Sequence, residues 1–314
     1  MKNKKLIILG ASGFIGKNLV QYFKKKQYDI TGTYYSNKIH VKGVKHMKCD
    51  LTKKDQVDKV IKGADIVIQA AASTSGAKDI INKPYLHVND NAIINSMVTR
   101  ACYHNNVKHI IMFSCTVMYS SSNKAQKESD FNANKEIYSR YFGGAWTKIF
   151  IEKMSEFYSR LNRNKYTIIR HSNVFGPNDK FDLEKSHVFA ATINKVVNCK
   201  NNTVTVWGSG KESRDLIYID DLMRFVSLAI KNQKKIFEIY NVGSGRLVSI
   251  NGLVKKVVNF YNKKIIIKND LSKISLTTKV YLDCKKAKKE IKWVPKVSLE
   301  SGIKKTLKWY LANK

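Results

Sequence analysis

Three glycines near the start of the chain, Gly10, Gly13 and Gly16, have the type and spacing to hold a phosphate. They punctuate Lys5-Leu6-Ile7-Ile8-Leu9-Gly10-Ala11-Ser12-Gly13-Phe14-Ile15-Gly16, which reads as a short apolar strand, a turn and a helix running on through Leu19, Val20 and Phe23. Gly10 lets the chain turn sharply out of the strand, Gly13 removes the Cβ that would keep a phosphate away, and Gly16 lets the helix lie close on the strand. Beyond Ser12, the N–H groups of Phe14 and Ile15 then open the positive end of the helix dipole to an anion. A glycine triplet alone is a weak signal. Directly after a buried-type strand and before an amphipathic helix, it predicts a dinucleotide site. The second strand chooses between dinucleotides. An NAD site usually has a carboxylate ~20 residues past the glycines for the ribose hydroxyls. Here Tyr34-Tyr35-Ser36-Asn37-Lys38 offers none. Lys38, with Ser36, Asn37 and Tyr34, suits a 2′-phosphate, so NADP is expected, with NAD as the alternative. Asp50-Leu51 suits contact with the adenine, and Ala70-Ala71-Ala72 would let the cofactor backbone pass close by.

The elements that must carry these residues follow from hydrophobic periodicity. Strands are expected at 5–9, 28–34, 44–47, 65–70, 108–114 and 166–171, with helices near 14–26, 53–62, 85–105 and 146–162. Strands alternating with helices predict an α/β fold: a Rossmann-type, doubly wound parallel sheet with helices on both faces. The last of these helices carries Phe150, Met154, Phe157, Tyr158 and Leu161 at helical spacing, which reads as a core-facing stripe. Past 176 the rhythm loosens. The dinucleotide-binding domain is therefore expected over 1–175, with 216–245 returning to it, and a smaller α/β substrate-binding domain mainly over 176–314.

Composition excludes several classes. The chain has 314 residues, 43% of them hydrophobic, enough for a large core. No apolar run approaches the ~20 residues of a membrane span, and the short apolar run after the basic start belongs to the first strand, so neither membrane attachment nor a signal peptide is expected. Cys49, Cys102, Cys115, Cys199 and Cys284 are odd in number and scattered. That fits reduced thiols, a cytoplasmic setting and no metal site. The net charge of +33 raises the question of nucleic acid. The lysines, however, are spread over the whole chain without a basic arm, so no nucleic-acid partner is expected. The positive field would still attract an anionic small molecule.

With these residues in view, the chain resembles the extended short-chain dehydrogenase/reductases that act on nucleotide sugars. The resemblance covers nearly the whole length. It rests on the glycine turn, Asp50-Leu51, Ala70–Ala72, Asn173-Val174-Phe175-Gly176-Pro177, Gly208-Ser209-Gly210 with Arg214-Asp215, Tyr218-Ile219-Asp220-Asp221, Tyr240-Asn241-Val242-Gly243-Ser244-Gly245 and Trp309-Tyr310. Ser186-His187-Val188 and Val206-Trp207-Gly208 look most like the GDP-fucose synthase branch, the GDP-4-keto-6-deoxymannose epimerase/reductases.

The resemblance implies a Ser or Thr that holds a sugar oxygen, a Tyr that handles a proton, and a Lys that binds the nicotinamide ribose and lowers the Tyr pKa. Lys148 matches the lysine. The tyrosine position, four residues earlier, is Gly144. The nearest upstream tyrosines are Tyr141 and Tyr138. Tyr141 keeps roughly the helix face of Lys148 but stands about 4.5 Å further along the axis than the usual spacing. Gly143-Gly144 is expected to break the helix and let Tyr141 fold back as proton donor. The hydroxyl position is Cys115, flanked by Ser114 and Thr116, and Thr116 is taken first and Cys115 second as the group on the keto oxygen. The epimerising cysteine of the GDP-fucose synthase branch falls at Val117, whereas His187 matches its second epimerisation residue. C3/C5 epimerisation is therefore not expected, and neither is dehydration, because Val117-Met118 replaces the Asp-Glu pair of the dehydratases. For the nucleotide sugar, the resemblance points to Asn173, His187, Val188, Trp207, Arg214 and Lys279, the arginine on the diphosphate. Asp221 is expected to cap a helix over 222–231.

Three readings follow. The first is an NADPH-dependent reductase of a 4-keto (6-deoxy) nucleotide sugar, GDP-linked, working as a homodimer through helices 85–105 and 146–162. The second is a nucleotide-sugar epimerase that uses bound NAD(P) transiently. The third is a catalytically impaired sensor or partner subunit. Dissociable NADPH consumption, tight non-exchanging cofactor, or binding without turnover would distinguish them.

Overall fold

Leu6, Ile7, Ile8 and Leu9 are all fully buried, so the first strand has no wet face and must lie inside a sheet covered on both sides. The computed structural model describes residues 3–74, 77–261, 264–273 and 275–314. Its chain order opens β1 (Lys4–Leu9), α1 (Phe14–Phe23), β2 (Tyr28–Tyr34), β3 (Lys45–Lys48), α2 (Lys54–Ile61), β4 (Ile66–Gln69), α3 (Ala77–Asn82) and α4 (Asn89–His104). It continues through β5 (His109–Cys115), α5 (Phe142–Arg160), β6 (Lys165–His171), β7 (Asn173–Phe175), α6 (Val188–Val197), β8 (Thr203–Trp207) and β9 (Ser213–Tyr218). It ends with α7 (Ile219–Asn232), β10 (Phe237–Val242), β11 (Leu247–Ser249), α8 (Ile250–Tyr261), β12 (Ile266–Asp270) and α9 (Leu299–Ala312).

Seven strands form one parallel sheet in the order β10-β6-β5-β4-β1-β2-β3. This is the expected doubly wound Rossmann-type architecture. Leu6 and Ile8 face α1 and α7, in a layer with Leu19, Phe23, Leu222 and Phe225. Ile7 and Leu9 face α2, α4 and α5, with Val57, Val98 and Ile151. Burying each such side chain contributes roughly 1.5–3 kcal/mol. The strand order reverses between β1 and β4, and that switch point opens a crevice at their carboxyl ends.

Beyond 176, α7 and β10 return to the large sheet, while β9 and β11 join the preceding β7 in a second sheet and β8 pairs with β12. Asp215 on β9 ties these pieces together. Its buried carboxylate accepts from the Ser244 N–H (2.8 Å) and hydroxyl (2.7 Å), the Gly245 N–H (3.1 Å) and the Leu282 N–H (3.1 Å).

Three expectations are corrected here. The stripe on α5 faces outward: Phe150, Phe157 and Leu161 are 47%, 58% and 41% exposed. The side that packs carries Ala145, Ile149, Glu152, Ser155 and Ser159, small or hydrogen-bonded groups that let the helix come close to the sheet. Helical spacing defines a stripe but does not say which side the protein covers. Asp221 is not a cap. The helix starts two residues earlier, at Ile219, and the Asp221 carboxylate instead accepts the Lys296 and Val297 N–H groups (2.9 and 2.8 Å) and pairs with Arg224 (2.7 Å). It anchors the chain entering α9. Finally, Gly143 and Gly144 do not break α5, which runs through them from Phe142.

Candidate active site

The seven parallel strands share one carboxyl edge, where the turn after β1 and the ends of β4 and β5 lie side by side. At β1 the turn depends on glycine. Gly10 has φ +74°, and a Cβ on it would stand 2.6 Å from the Ala71 Cα; on Gly16 a Cβ would stand 2.0 Å from the Gly10 carbonyl oxygen. Gly13 differs, because a Cβ there would meet only the Gly10 oxygen, at 3.4 Å. Gly13 also N-caps α1 with no side-chain hydrogen bond, leaving the first-turn N–H groups of Phe14 and Ile15 open. Open donors at a helix N-terminus, above a residue with no side chain, fit a pyrophosphate.

Around this turn, Ala70 donates its N–H to the Leu9 carbonyl (3.1 Å) and Asn91 holds Ser73 by a pair of 2.9 Å bonds, which fixes the 70–74 segment. Asp50 accepts from the Thr52 hydroxyl (2.7 Å) and N–H (3.0 Å), and these bonds hold its carboxyl below the usual range. Tyr34 ends β2; Ser36, Asn37 and Lys38 lie exposed in the loop that follows.

Lys148 sits on α5 and donates from Nζ to the Phe113 carbonyl, 2.9 Å away at the end of β5. Its charge reaches Cys115 and His171, which pair across β5 and β6. Burial nevertheless pushes the Cys115 thiol up and outweighs the ammonium, so this is a neutral thiol, not a nucleophile. Burial takes His171 down to about 4, with its Nδ1 donating to the Ser172 carbonyl at 2.8 Å. His187, immediately before α6, is likewise brought to about 4 by burial and senses Lys180 and His87. Both imidazoles are neutral at pH 7.

Tyr141 occupies the position before α5, at the end of a short 3₁₀ turn, and packs against the cluster of Met118, Tyr119, Ile137 and Ile149. Burial raises its pKa, so the hydroxyl stays protonated. It meets the Thr278 hydroxyl and faces Arg214 and Cys115. The Arg214 guanidinium is the main charge that favours ionisation of Tyr141, and burial outweighs it. Thr116 is half-buried one residue past β5, and its carbonyl accepts the Tyr119 N–H (3.0 Å).

Arg214 spends its guanidinium on backbone. It donates to the Ser213, Thr278 and Leu276 carbonyls (2.9, 2.7 and 2.6 Å), which holds the 276–278 segment over Tyr141. Asn173 donates to the Asp215 carbonyl (3.2 Å). Lys279 is exposed and reaches Asn123 (2.8 Å), and Trp207 is 41% exposed at the end of β8 with the Lys195 ammonium 5.4 Å from its ring. Val188 begins α6 directly after His187.

A buried ion pair holds this geometry. One turn after Lys148, Glu152 pairs with Arg170 of β6 (2.6 Å) and accepts the Ser114 hydroxyl (2.6 Å). Arg170 also donates to the Tyr119 hydroxyl (2.9 Å). Replacing Glu152 with alanine is expected to cost about 3–5 kcal/mol, because Arg170 is left buried and unpaired. Denaturant unfolding measures this, and an unchanged midpoint would contradict it.

A family model described as NAD dependent epimerase/dehydratase family matches residues 6–243. The chain belongs to that family. Its members similar to this chain include the GDP-L-colitose synthase of Yersinia pseudotuberculosis, 28% identical with 99% of each chain covered. The GDP-L-fucose synthase of Azorhizobium caulinodans is 25% identical, over 99% of this chain and 98% of its own. Among solved structures, UDP-glucose 4-epimerase from Thermotoga maritima superposes with TM-score 0.85 at 24% identity, covering 98% of this chain and 99% of that one. A GDP-6-OMe-4-keto-L-xylo-heptose reductase from C. jejuni gives 0.87 at 21%, covering 100% and 99%. These structural likenesses speak for the fold. As an extended short-chain dehydrogenase/reductase, the chain is an enzyme of the nucleotide-sugar epimerase/reductase group.

Sequence reasoning passed over His87, His171 and Thr278, which approach the site without belonging to a motif. His171 lies two residues before Asn173, in a stretch already singled out, and that nearness was the one available signal. Thr278 is brought to Tyr141 from 137 positions away, in a segment held by the Arg214 bonds and by the Lys279 bonds to Ser121 and Ser122.

Proposed function

We propose that the chain is an NADPH-dependent reductase of a 4-keto nucleotide sugar, GDP-linked as the names of its relatives suggest. The observation that carries this reading is the meeting, at one sheet edge, of the open glycine turn, the Lys148 ammonium on Phe113, and Cys115 beside Tyr141. The pyrophosphate would lie on Gly13 and the N–H groups of Phe14 and Ile15, the adenine by Asp50 and Leu51, and a 2′-phosphate by Lys38, Ser36 and Asn37. Ala70–Ala72 would flank the cofactor, and Lys148 would hold the nicotinamide ribose. When bound, the nicotinamide supplies the hydride. Thr116 or Cys115 steadies the keto oxygen, and Tyr141, kept protonated by burial, donates the proton to it. The sugar nucleotide is taken by a domain beginning near 176, through Asn173, His187, Val188, Trp207 and Lys279, with Arg214 toward the diphosphate. The test is NADPH consumption by the purified chain with GDP-4-keto-6-deoxymannose. Binding of NADPH without turnover would favour the sensor reading.

One observation favours the epimerase as second reading. The UDP-glucose 4-epimerase of Thermotoga maritima superposes on the chain with TM-score 0.85. Tight NAD(P) that does not exchange and is not consumed would support it.

The outward stripe on α5 supports a homodimer. Phe142, Trp146, Phe150, Phe157 and Leu161 line one side, and Ile93 of α4 is also exposed. Such an exposed aromatic stripe, interrupted by Lys153 and Arg160, suits burial against the same face of a second copy. The expected mass in solution is twice 35.9 kDa. Phe150→Glu with Phe157→Glu should give monomers by light scattering, and a monomeric unsubstituted protein would refute the proposal.

A further inference from the structure

Four lysines converge on one hollow at the outer edge of the large sheet. Lys285, Lys288, Lys289 and Lys292 line a cavity of about 540 Å³, with Val294 as an apolar wall. That volume lies in the range of small-molecule sites, roughly 300–1,000 Å³. The hollow lies apart from the glycine turn. Lys286, in the same segment, donates to the Ile239 carbonyl (2.8 Å) of β10. β10 is an edge strand, and β6, β5 and β4 stand between it and β1. None of the residues assigned above to cofactor or sugar lines the hollow.

The segment that carries these lysines has a fixed underside. It is built on a π turn, Ala287–Ile291, in which Ala287 and Ile291 are fully buried. Trp293 follows, also fully buried, with its indole N–H on the Asp221 carbonyl (2.9 Å) and its backbone N–H on the Ala287 carbonyl (3.2 Å). The four lysines are exposed on the opposite side. Acidic groups do not balance them. Among the described residues, Lys285 alone of the four has a carboxylate partner, Asp283 at 3.6 Å. Glu290, in the same turn, accepts the Tyr240 hydroxyl instead (2.9 Å).

This arrangement opposes stability in two ways. Like charges three and four residues apart on a helical turn repel. Lys292 also has φ +62° and ψ +36°, the left-handed region that a Cβ disfavours and that glycine or asparagine usually fills after a helical turn. A lysine kept there against both effects points to a use for its charge. The surplus of +33 over the whole chain explains why lysines are common, but not why four of them share one cavity.

Ammonium groups meet anion oxygens as point charges, without the planar fork that suits a single carboxylate. From 285 to 292 they are spread over up to about 10 Å of helical rise, wider than one phosphate ion and suited to a chain of them. We propose that this hollow binds a small polyphosphate anion, either a linear inorganic polyphosphate or the phosphate tail of a nucleoside triphosphate, at a site separate from the dinucleotide crevice.

Calorimetric titration of the full chain with sodium tripolyphosphate, with ATP and with orthophosphate tests this. Tripolyphosphate should bind saturably and at least roughly 10-fold more tightly than orthophosphate. Tighter binding of ATP than of tripolyphosphate would assign the site to a nucleotide, its nucleoside against Val294, and equal or weaker binding would assign it to the phosphate chain. Lys288→Glu with Lys292→Glu should weaken tripolyphosphate binding roughly 10–100-fold. Lys24→Glu with Lys25→Glu, the same change of charge on exposed lysines elsewhere, should alter it less than about 2-fold. Lys292→Gly removes one charge at a backbone position that glycine suits, and should weaken binding roughly 3–10-fold. Equal loss in the two doubly substituted proteins would mean that net charge alone attracts the anion, and would overturn the proposal. So would the absence of saturable binding, or an unchanged affinity in Lys292→Gly or in the Lys288→Glu, Lys292→Glu protein.

Discussion

Lys148→Ala is expected to lower turnover by roughly 10²–10⁴-fold, the range for a group that acts on proton transfer and orientation, and to weaken NADPH binding as well. The reason is local. Nζ sits 2.9 Å from the Phe113 carbonyl, at the strand end where Cys115 and His171 face each other. Its positive charge acts on both groups, whereas the charge of Arg170, which also reaches Cys115, is balanced by its ion pair with Glu152. Folding should survive, because alanine is a good helix former and the Glu152–Arg170 pair that fixes α5 is untouched. Steady-state rates, a cofactor titration and an unfolding curve together test this. Unchanged turnover would remove Lys148 from the chemistry.

Tyr141→Phe should lower turnover by a similar factor, roughly 10²–10⁴-fold, but leave NADPH binding intact. Only the hydroxyl is lost. The ring would stay packed beside Tyr138, whose ring centroid lies 5.4 Å away. The Thr278 hydroxyl loses a partner, a cost of about 1 kcal/mol. The split between binding and turnover separates Tyr141 from Lys148, which should affect both. Full activity in Tyr141→Phe would mean that the proton comes from another donor.

Elements with strong periodicity were legible in the sequence. The six strands and four helices expected in the first half all occur, with ends displaced by a few residues. Gly10 and Gly16 were legible for the same reason: each stands where a Cβ would collide with neighbouring backbone, so the residue type itself states the constraint. The side on which α5 packs was not legible. Phe150, Phe157 and Leu161 were read as core because apolar residues usually face inward, yet Glu152 and Ser155 are the ones that face the sheet. A buried carboxylate is tolerable only with a partner, and that partner, Arg170, lies on a different strand. Asp221 was misjudged likewise, since its ligands are the N–H groups of Lys296 and Val297, 75 and 76 positions away.

The sequence by itself determined the parallel sheet, the glycine turn and the absence of a tyrosine four residues before Lys148. Backbone conformation and hydrophobic period are local properties, readable over a few neighbouring residues. Only the tertiary structure decided that Arg214 is the cation facing Tyr141, that His87 stands opposite Gly144, and that the aromatic stripe of α5 looks outward. Each of these depends on segments far apart in the chain meeting at the ends of the strands, and hydrogen bonding and desolvation act on whatever meets there, however distant in sequence.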